Sequence, residues 1–171
     1  MQTFLPQGDL HTSAYFLDSK RLNKQILEGY QILNVLSGKS KTGGWRNHPA
    51  VLMWRGFERG LWEYIQSMIQ EAKMRGIKTE NNEANLNDLK DQCWEEWGDN
   101  TPAFWKDETK LMRVITTHRA NLFHKDPIYY IEYQSAVSSP YNIPCCPDRK
   151  LPCKYYWPTH AQKNELLNAN N

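Results

Sequence analysis

The stretch Gly44-Trp45-Arg46-Asn47-His48-Pro49-Ala50-Val51-Leu52-Met53-Trp54-Arg55-Gly56-Phe57 gathers two tryptophans, two arginines and a histidine at the start of a helix. Pro49 marks that start, because the first helical N–H has no partner to lose. Asn47 or His48 then takes the capping position, Asn47 being the better capper by type. From Pro49 onward Val51, Leu52, Trp54, Phe57, Leu61, Ile65, Met68, Ile69 and Ala72 recur at helical spacing. The spacing predicts one long buried helix ending near Arg75, with Gly76 as its stop. A loop flexed at Gly43 and Gly44 thus delivers Trp45, Arg46 and His48 to a helix N-terminus, where free N–H groups and the dipole favour an anion such as phosphate. The plainer reading packs Trp45 in the core and bonds Arg46 to a neighbouring carbonyl.

Toward the amino terminus, residues 3 to 10 read as extended, ending in a turn. Ser13 is placed to cap a short helix through Leu17. Asp18 is placed to cap a longer one, Ser19 to Leu36, which Gly38 stops. Its apolar stripe is Leu22, Ile26, Leu27, Tyr30, Leu33 and Leu36. Arg21, Lys24, Gln25 and Glu28 share another face. That face is either a solvated one with a Lys24–Glu28 pair, in the less favourable orientation, or a surface for phosphate and chemistry.

Toward the carboxyl terminus, 79 to 82 read as a loop and Asn85 to Trp97 as a helix burying Leu86, Leu89, Cys93, Trp94 and Trp97. Asp107 caps a helix to about Lys125 that packs Leu111, Val114, Ile115, Ala120 and Leu122. His118, Arg119, Asn121, His124 and Lys125 form a polar, largely basic cluster toward its end. The cluster complements the dipole or contacts phosphates and bases. Asp126-Pro127 opens a short aromatic helix, Ile128 to Tyr133. Beyond Gln134 no periodicity remains, and Tyr155-Tyr156-Trp157-Pro158 docks on the body. No strand alternation and no repeat occurs. The expected fold is all-α: a single compact helical domain over residues 1–160 with an irregular C-terminal segment, and 161–171 as a frayed tail.

The chain has 171 residues, 40% hydrophobic and 23% charged, enough for one domain with a real core. Net charge is only +2, so overall charge does not imply nucleic acid and local clusters must carry that case. Seven Trp and nine Tyr suit a dense core or base stacking. No apolar run approaches the roughly 18 residues of a membrane span, and Met1-Gln2-Thr3-Phe4-Leu5-Pro6 does not read as a signal peptide. The expected location is therefore cytoplasmic, with disulfides disfavoured. Cys145, Cys146, Cys153 and His160 lack the spacing of a zinc site. No metal or other cofactor is expected. Walker, dinucleotide and nucleophile-elbow motifs are absent from the sequence.

Several segments together resemble the phage-type pyrimidine-dimer DNA glycosylases, the endonuclease V group, and most closely a branch of small bacterial and phage proteins opening with Met-x-Thr-Phe-Leu-Pro. They are Met1-Gln2-Thr3-Phe4-Leu5-Pro6, Leu17-Asp18, Arg21-Leu22-x-Lys24-Gln25, Gln31-Ile32-Leu33, Gly44 to Ala50, Met53-Trp54-Arg55-Gly56, His118-Arg119-Ala120-Asn121-Leu122, Lys125-Asp126-Pro127 and Tyr155 to Pro158. The resemblance implies a compact helical fold that binds duplex DNA. It implies base excision through the chain's own terminal amine, with a nearby carboxylate, followed by strand cleavage. An α-amine titrates at about 7.7–8.0, so part of it is neutral near pH 7, unlike lysine. Gln2 is bulky, so Met1 is expected to stay and to own that amine. The family's glutamate at the start of the basic helix has no carboxylate counterpart in Lys20 to Gln25, and Glu28 is the nearest substitute on that face.

The leading expectation is a DNA glycosylase, with or without abasic-site lyase activity, acting as a monomer on a damaged or modified pyrimidine in duplex DNA. Met1 supplies the amine and Glu28 the carboxylate, with His48 or His118 as alternative proton carriers. Arg21, Lys24, Arg46, Arg55, Arg119 and Lys125 hold phosphates, and Trp45 or Trp54 stacks on an extruded base. An alternative is an enzyme that processes a nucleotide or modified base by direct hydrolysis, using Arg21, Gln25, Asn47, His48, His118 and Asn121. A non-catalytic nucleic-acid or protein-binding module is the third.

Overall fold

The computed structural model describes residues 1–142 and 152–159. They contain six α-helices and three 3-10 helices and no strand, so the fold is all-α. Contacts divide the chain into two compact units, Met1–Phe4 with Asp9–Pro102, and Leu5–Gly8 with Ala103–Asn171.

The first unit holds α1 (Leu10–Phe16), α2 (Ser19–Leu36), α3 (Pro49–Leu52), α4 (Glu58–Met74) and α5 (Glu80–Cys93). Asp9, not Ser13, caps α1, its carboxylate accepting from Thr12 N–H at 2.7 Å. Ser13 is buried instead. The last carbonyls of α1 receive Arg75, whose guanidinium donates to Tyr15 O at 2.7 Å and to Leu17 O at 2.6 Å. Asp18 caps α2 as the sequence predicts, accepting from Arg21 N–H at 3.0 Å. The two long helices α2 and α4 pack face to face. A Cβ on Gly29 would stand 2.6 Å from Ile65 Cγ1, so glycine sets how closely they approach.

The long helix expected from Pro49 to Arg75 is in fact two. α3 ends after one turn, and the chain bends through Met53–Phe57 with Gly56 at φ +81° before α4 begins. The cause is a contact distant in sequence. Glu58 accepts from Gly56 N–H at 2.9 Å and from Gly98 N–H at 2.8 Å, tying the bend to the 98–100 loop. A Cβ on Gly98 would stand 2.1 Å from Gly56 O, so only glycine fits there. The cap of α3 is His48 rather than Asn47, with Nδ1 accepting from Ala50 N–H at 3.1 Å. A helix of four residues makes no anion site of the kind the sequence suggested.

α5 begins at Glu80, five residues earlier than expected, with Glu80 and Glu83 in its first turn where they complement the dipole. It stops at Cys93, and Trp94–Glu96 continue as a 3-10 turn. That stop places Trp94 and Trp97 against Trp62 on α4, with ring centroids 6.3 and 5.8 Å from it. Lys90 Nζ lies over Trp62 and Trp94 at 5.3 and 5.0 Å. Three of the seven tryptophans thus pack on one another within the unit.

In the second unit Asp107 caps α6 (Glu108–Lys125), accepting from Lys110 N–H at 3.1 Å. The aromatic helix expected over Ile128–Tyr133 is instead a turn over 127–130 followed by a 3-10 helix, Ile131–Ser138. Tyr130 and Tyr133 stack at 5.8 Å across it. Ala120, Ala136 and Cys153 form a small core. Tyr156 is buried and its N–H reaches Thr117 Oγ1 on α6 at 3.2 Å, so the Tyr155–Pro158 segment does dock. Cys145, Cys146, His160 and the 161–171 tail lie outside the described residues.

Candidate functional site

The chemistry-bearing groups of the first unit meet where residues 1–4 lie against α2. Met1 α-nitrogen stands 3.8 Å from Glu28 Oε1. Both side chains are nearly buried, at 6% and 12% exposure. The same oxygen lies 3.6 Å from Lys24 Nζ, whose own side chain is 67% exposed. Glu28 Oε2 accepts instead from Gln2 N–H at 3.3 Å and from Gln25 Nε2 at 3.4 Å. Met1 and Glu28, paired by expectation from the sequence, are thus brought together.

His48 belongs to this neighbourhood. Burial first, and then the positive charge of the terminal amine, hold its imidazole below its ordinary range, against the pull of Glu28. Because Nδ1 accepts from Ala50 N–H, the neutral ring carries its proton on Nε2. Trp45 is 46% exposed and meets the His48 ring edge-on at 5.2 Å. Arg46, Asn47 and Arg55 are exposed beside it, and Arg55 donates to Arg46 O at 2.8 Å. The two arginines line a cleft of about 420 Å³ with Gly38, Ser40, Gly43 and Glu58.

Other predicted site residues have different roles. Trp54 is only 1% exposed and donates from Nε1 to Thr3 Oγ1 at 2.9 Å, so it offers no face to a base. Gln25 is 1% exposed and bonds to Phe4 N–H and the Tyr64 hydroxyl, so it is no surface contact. Arg21 turns back on Asp18, Nη1 to Oδ2 at 2.7 Å. The face shared by Arg21, Lys24, Gln25 and Glu28 is therefore half covered by the chain's own first residues.

In the second unit the expected basic cluster is largely structural. His118 is fully buried, and its Nδ1 accepts from Leu5 N–H at 2.9 Å. Burial pushes its pKa down to about 3, so it stays neutral at working pH and is no proton carrier. Asn121 is buried and donates to Thr117 O at 2.9 Å. Arg119 donates to Pro6 O at 2.6 Å and to Gln7 Oε1 at 2.8 Å, and its guanidinium lies over Tyr133. Only His124 and Lys125 of the cluster are exposed. Tyr64 and Thr3 were missed as site supports. Tyr64 fell on the apolar stripe of α4, and nothing local in the sequence marks its hydroxyl.

The His118 environment sets a pH dependence. The unfolded imidazole titrates near its ordinary value and the folded one near 3, so the unfolded chain binds the extra proton between them. Stability is full above about pH 6.5 and falls by about 1.4 kcal/mol per pH unit as pH drops toward 3. His118→Asn, which keeps an acceptor for Leu5 N–H, is expected to flatten this slope in urea titrations at several pH values. An unchanged slope would assign the acid sensitivity to other groups.

These observations define a class first: an all-α protein whose amino terminus is held against a carboxylate by its own backbone and side-chain amides. Residues 1–85 match the model of a known family, pyrimidine dimer DNA glycosylase. That stretch, 85 of the 171 residues, includes Met1, Lys24, Glu28 and His48. The match supports, at the level of the family, a pyrimidine-dimer DNA glycosylase type of function. No curated protein and no solved structure matches the chain significantly. Among the described residues no helix is long and apolar enough to cross a membrane.

Proposed function

We propose that the chain excises a damaged or modified pyrimidine from duplex DNA, with the Met1 α-amine as nucleophile and Glu28 as the assisting carboxylate. The observation carrying this reading is the 3.8 Å approach of the amine to Glu28 Oε1 in a nearly buried setting. Glu28 takes a proton from the ammonium, and the freed lone pair attacks the sugar C1′. The glycosidic bond breaks, and the base leaves with the bonding electrons and is protonated. The ring oxygen then departs from C1′, taking one amine proton through Glu28, and leaves a protonated imine whose positive charge faces the restored carboxylate. Loss of a C2′ proton from the imine expels the 3′ phosphate, which is the lyase step. Lys24, Arg46 and Arg55 of the first unit, all exposed, are the groups assigned to backbone phosphates. Trp45, with its half-exposed ring, is assigned to an unstacked base. The departing base takes its proton from Glu28, which holds the one released by the ammonium; the neutral His48 ring offers Nε2–H as a hydrogen-bond donor only.

Borohydride reduction in the presence of a duplex carrying an abasic site tests it. The expected result is a covalent adduct that peptide mass mapping places on the Met1 α-nitrogen. An adduct on a lysine would move the nucleophile. Intact DNA binding with no adduct would replace the amine route by direct hydrolysis or by binding alone.

A further inference from the structure

The side-chain amide of Gln25 has one orientation open to it. Its Oε1 accepts from Phe4 N–H at 2.7 Å and lies 2.8 Å from the Tyr64 hydroxyl. A backbone N–H only donates, so reversing the amide would set donor against donor in a site that is 1% exposed. The Nε2 end must therefore face Glu28 Oε2, 3.4 Å away. Gln2 N–H reaches that same oxygen at 3.3 Å. The two carboxylate oxygens are thus divided: Oε2 meets neutral amide donors, and Oε1 meets the Met1 amine and Lys24.

We infer that Gln25 is a positioning residue: its fixed amide holds Glu28 Oε2 so that Oε1 stays turned to the Met1 amine, and Tyr64 fixes Gln25 in turn. The inference rests on the amine reading above. The terminal torsion of a glutamate is broad and nearly two-fold, so a carboxylate without such a donor samples many orientations. Ordering it before substrate arrives removes that cost from the reaction step. The arrangement draws on three elements at once. Phe4 lies in the first segment, Gln25 and Glu28 on α2, and Tyr64 on α4, where the Tyr64 hydroxyl also lies 2.9 Å from Phe4 O. The charged or titratable groups facing Glu28 are the Met1 amine, Lys24 on α2, His48 before α3 and Tyr64 on α4.

Gln25→Met strips Phe4 N–H of its acceptor and leaves the Tyr64 hydroxyl only Phe4 O of its two acceptors, and is expected to lower the melting temperature sharply. Gln25→Glu is the decisive variant. It keeps an acceptor for both groups but sets an oxygen, not a donor, against Glu28 Oε2. Single-turnover trapping on the abasic duplex at saturating DNA is expected to slow about tenfold, with the DNA dissociation constant unchanged. The acid limb of its pH profile is expected to move to higher pH, because a carboxylate beside another takes up a proton more readily. A purely structural glutamine would move melting temperature and leave that profile in place. If the wild-type chain forms the Met1 adduct and Gln25→Glu shows the wild-type rate and profile, the inference is overturned and the amine reading stands. If the wild-type chain forms no Met1 adduct, the amine reading fails first and the inference falls with it.

Discussion

Glu28→Gln is expected to slow adduct formation on an abasic duplex by about 10²–10³-fold, the range typical of losing a proton-transfer or charge-stabilising group. The substitution is nearly isosteric. A carbonyl oxygen in the Oε2 position keeps the bonds from Gln2 N–H and Gln25 Nε2. The lost features are the negative charge beside the Met1 amine and the ability to take its proton. The amide NH₂ would face the ammonium and Lys24, donor toward donor. Melting temperature is expected to change by only a few degrees, because an ion pair to a largely exposed lysine contributes little. DNA affinity is expected to hold within about threefold, since one uncharged group replaces one anion and the groups proposed to hold phosphates are untouched. Glu28→Asp, shorter by one methylene, is expected to fall between. Unchanged trapping in Glu28→Gln would reduce Glu28 to a structural partner of Lys24 and the terminus.

The second large effect is on stability. Trp54→Ala is expected to cost about 3–5 kcal/mol, the usual loss for truncating a buried tryptophan. At about 2–4 °C per kcal/mol for a chain of this size, that is a fall of about 6–20 °C in melting temperature. Trp54 is 1% exposed, its ring lies 5.8 Å from Tyr64, and its Nε1 donates to Thr3 Oγ1. Removing it opens a cavity beside the segment that carries the terminal amine, so activity should fall with stability. Trp54→Phe refills most of the volume and loses only the Thr3 bond, so it should recover most of the melting temperature. Trp45→Ala is the contrast: a half-exposed ring whose loss should leave stability within about 0.5 kcal/mol while weakening binding to an extruded base. A Trp54→Ala chain that melts normally but loses DNA binding would reverse the two assignments.

Which expectations held follows from where the deciding energy lies. Asp18 and Asp107 were legible as caps because an N-cap bond spans three residues, and both bonds are present. α2 runs from Ser19 to Leu36 and α6 ends at Lys125, as the periodicity and stop signals predict. Gly56 could not be read as a bend from its neighbours. Its left-handed φ is held by Glu58 and by a loop about forty residues away. Leu27, counted in the α2 stripe, is 45% exposed, while Gln25 on the polar face is buried. That exchange occurs because Phe4 N–H and Tyr64 give Gln25 partners that compensate its burial. His118 and Arg119 looked like a surface cluster for the same reason. Their partners, Leu5, Pro6 and Gln7, lie more than a hundred residues earlier.

The sequence by itself determined the all-α character and the starts of the two long capped helices; it carried the family likeness over residues 1–85, and that likeness named the terminal amine and Glu28 as the residues to test. These rest on interactions within one or two helical turns and on motifs read residue by residue. Only the tertiary structure decided which polar side chains face solvent and which are consumed inside. It made His48 the cap, ended α3 after four residues, buried His118 and Trp54, and turned Gln25 toward Glu28. The physical reason is that a polar group can be buried only where a distant segment satisfies its hydrogen bonds, and helical periodicity carries no record of which segment will arrive.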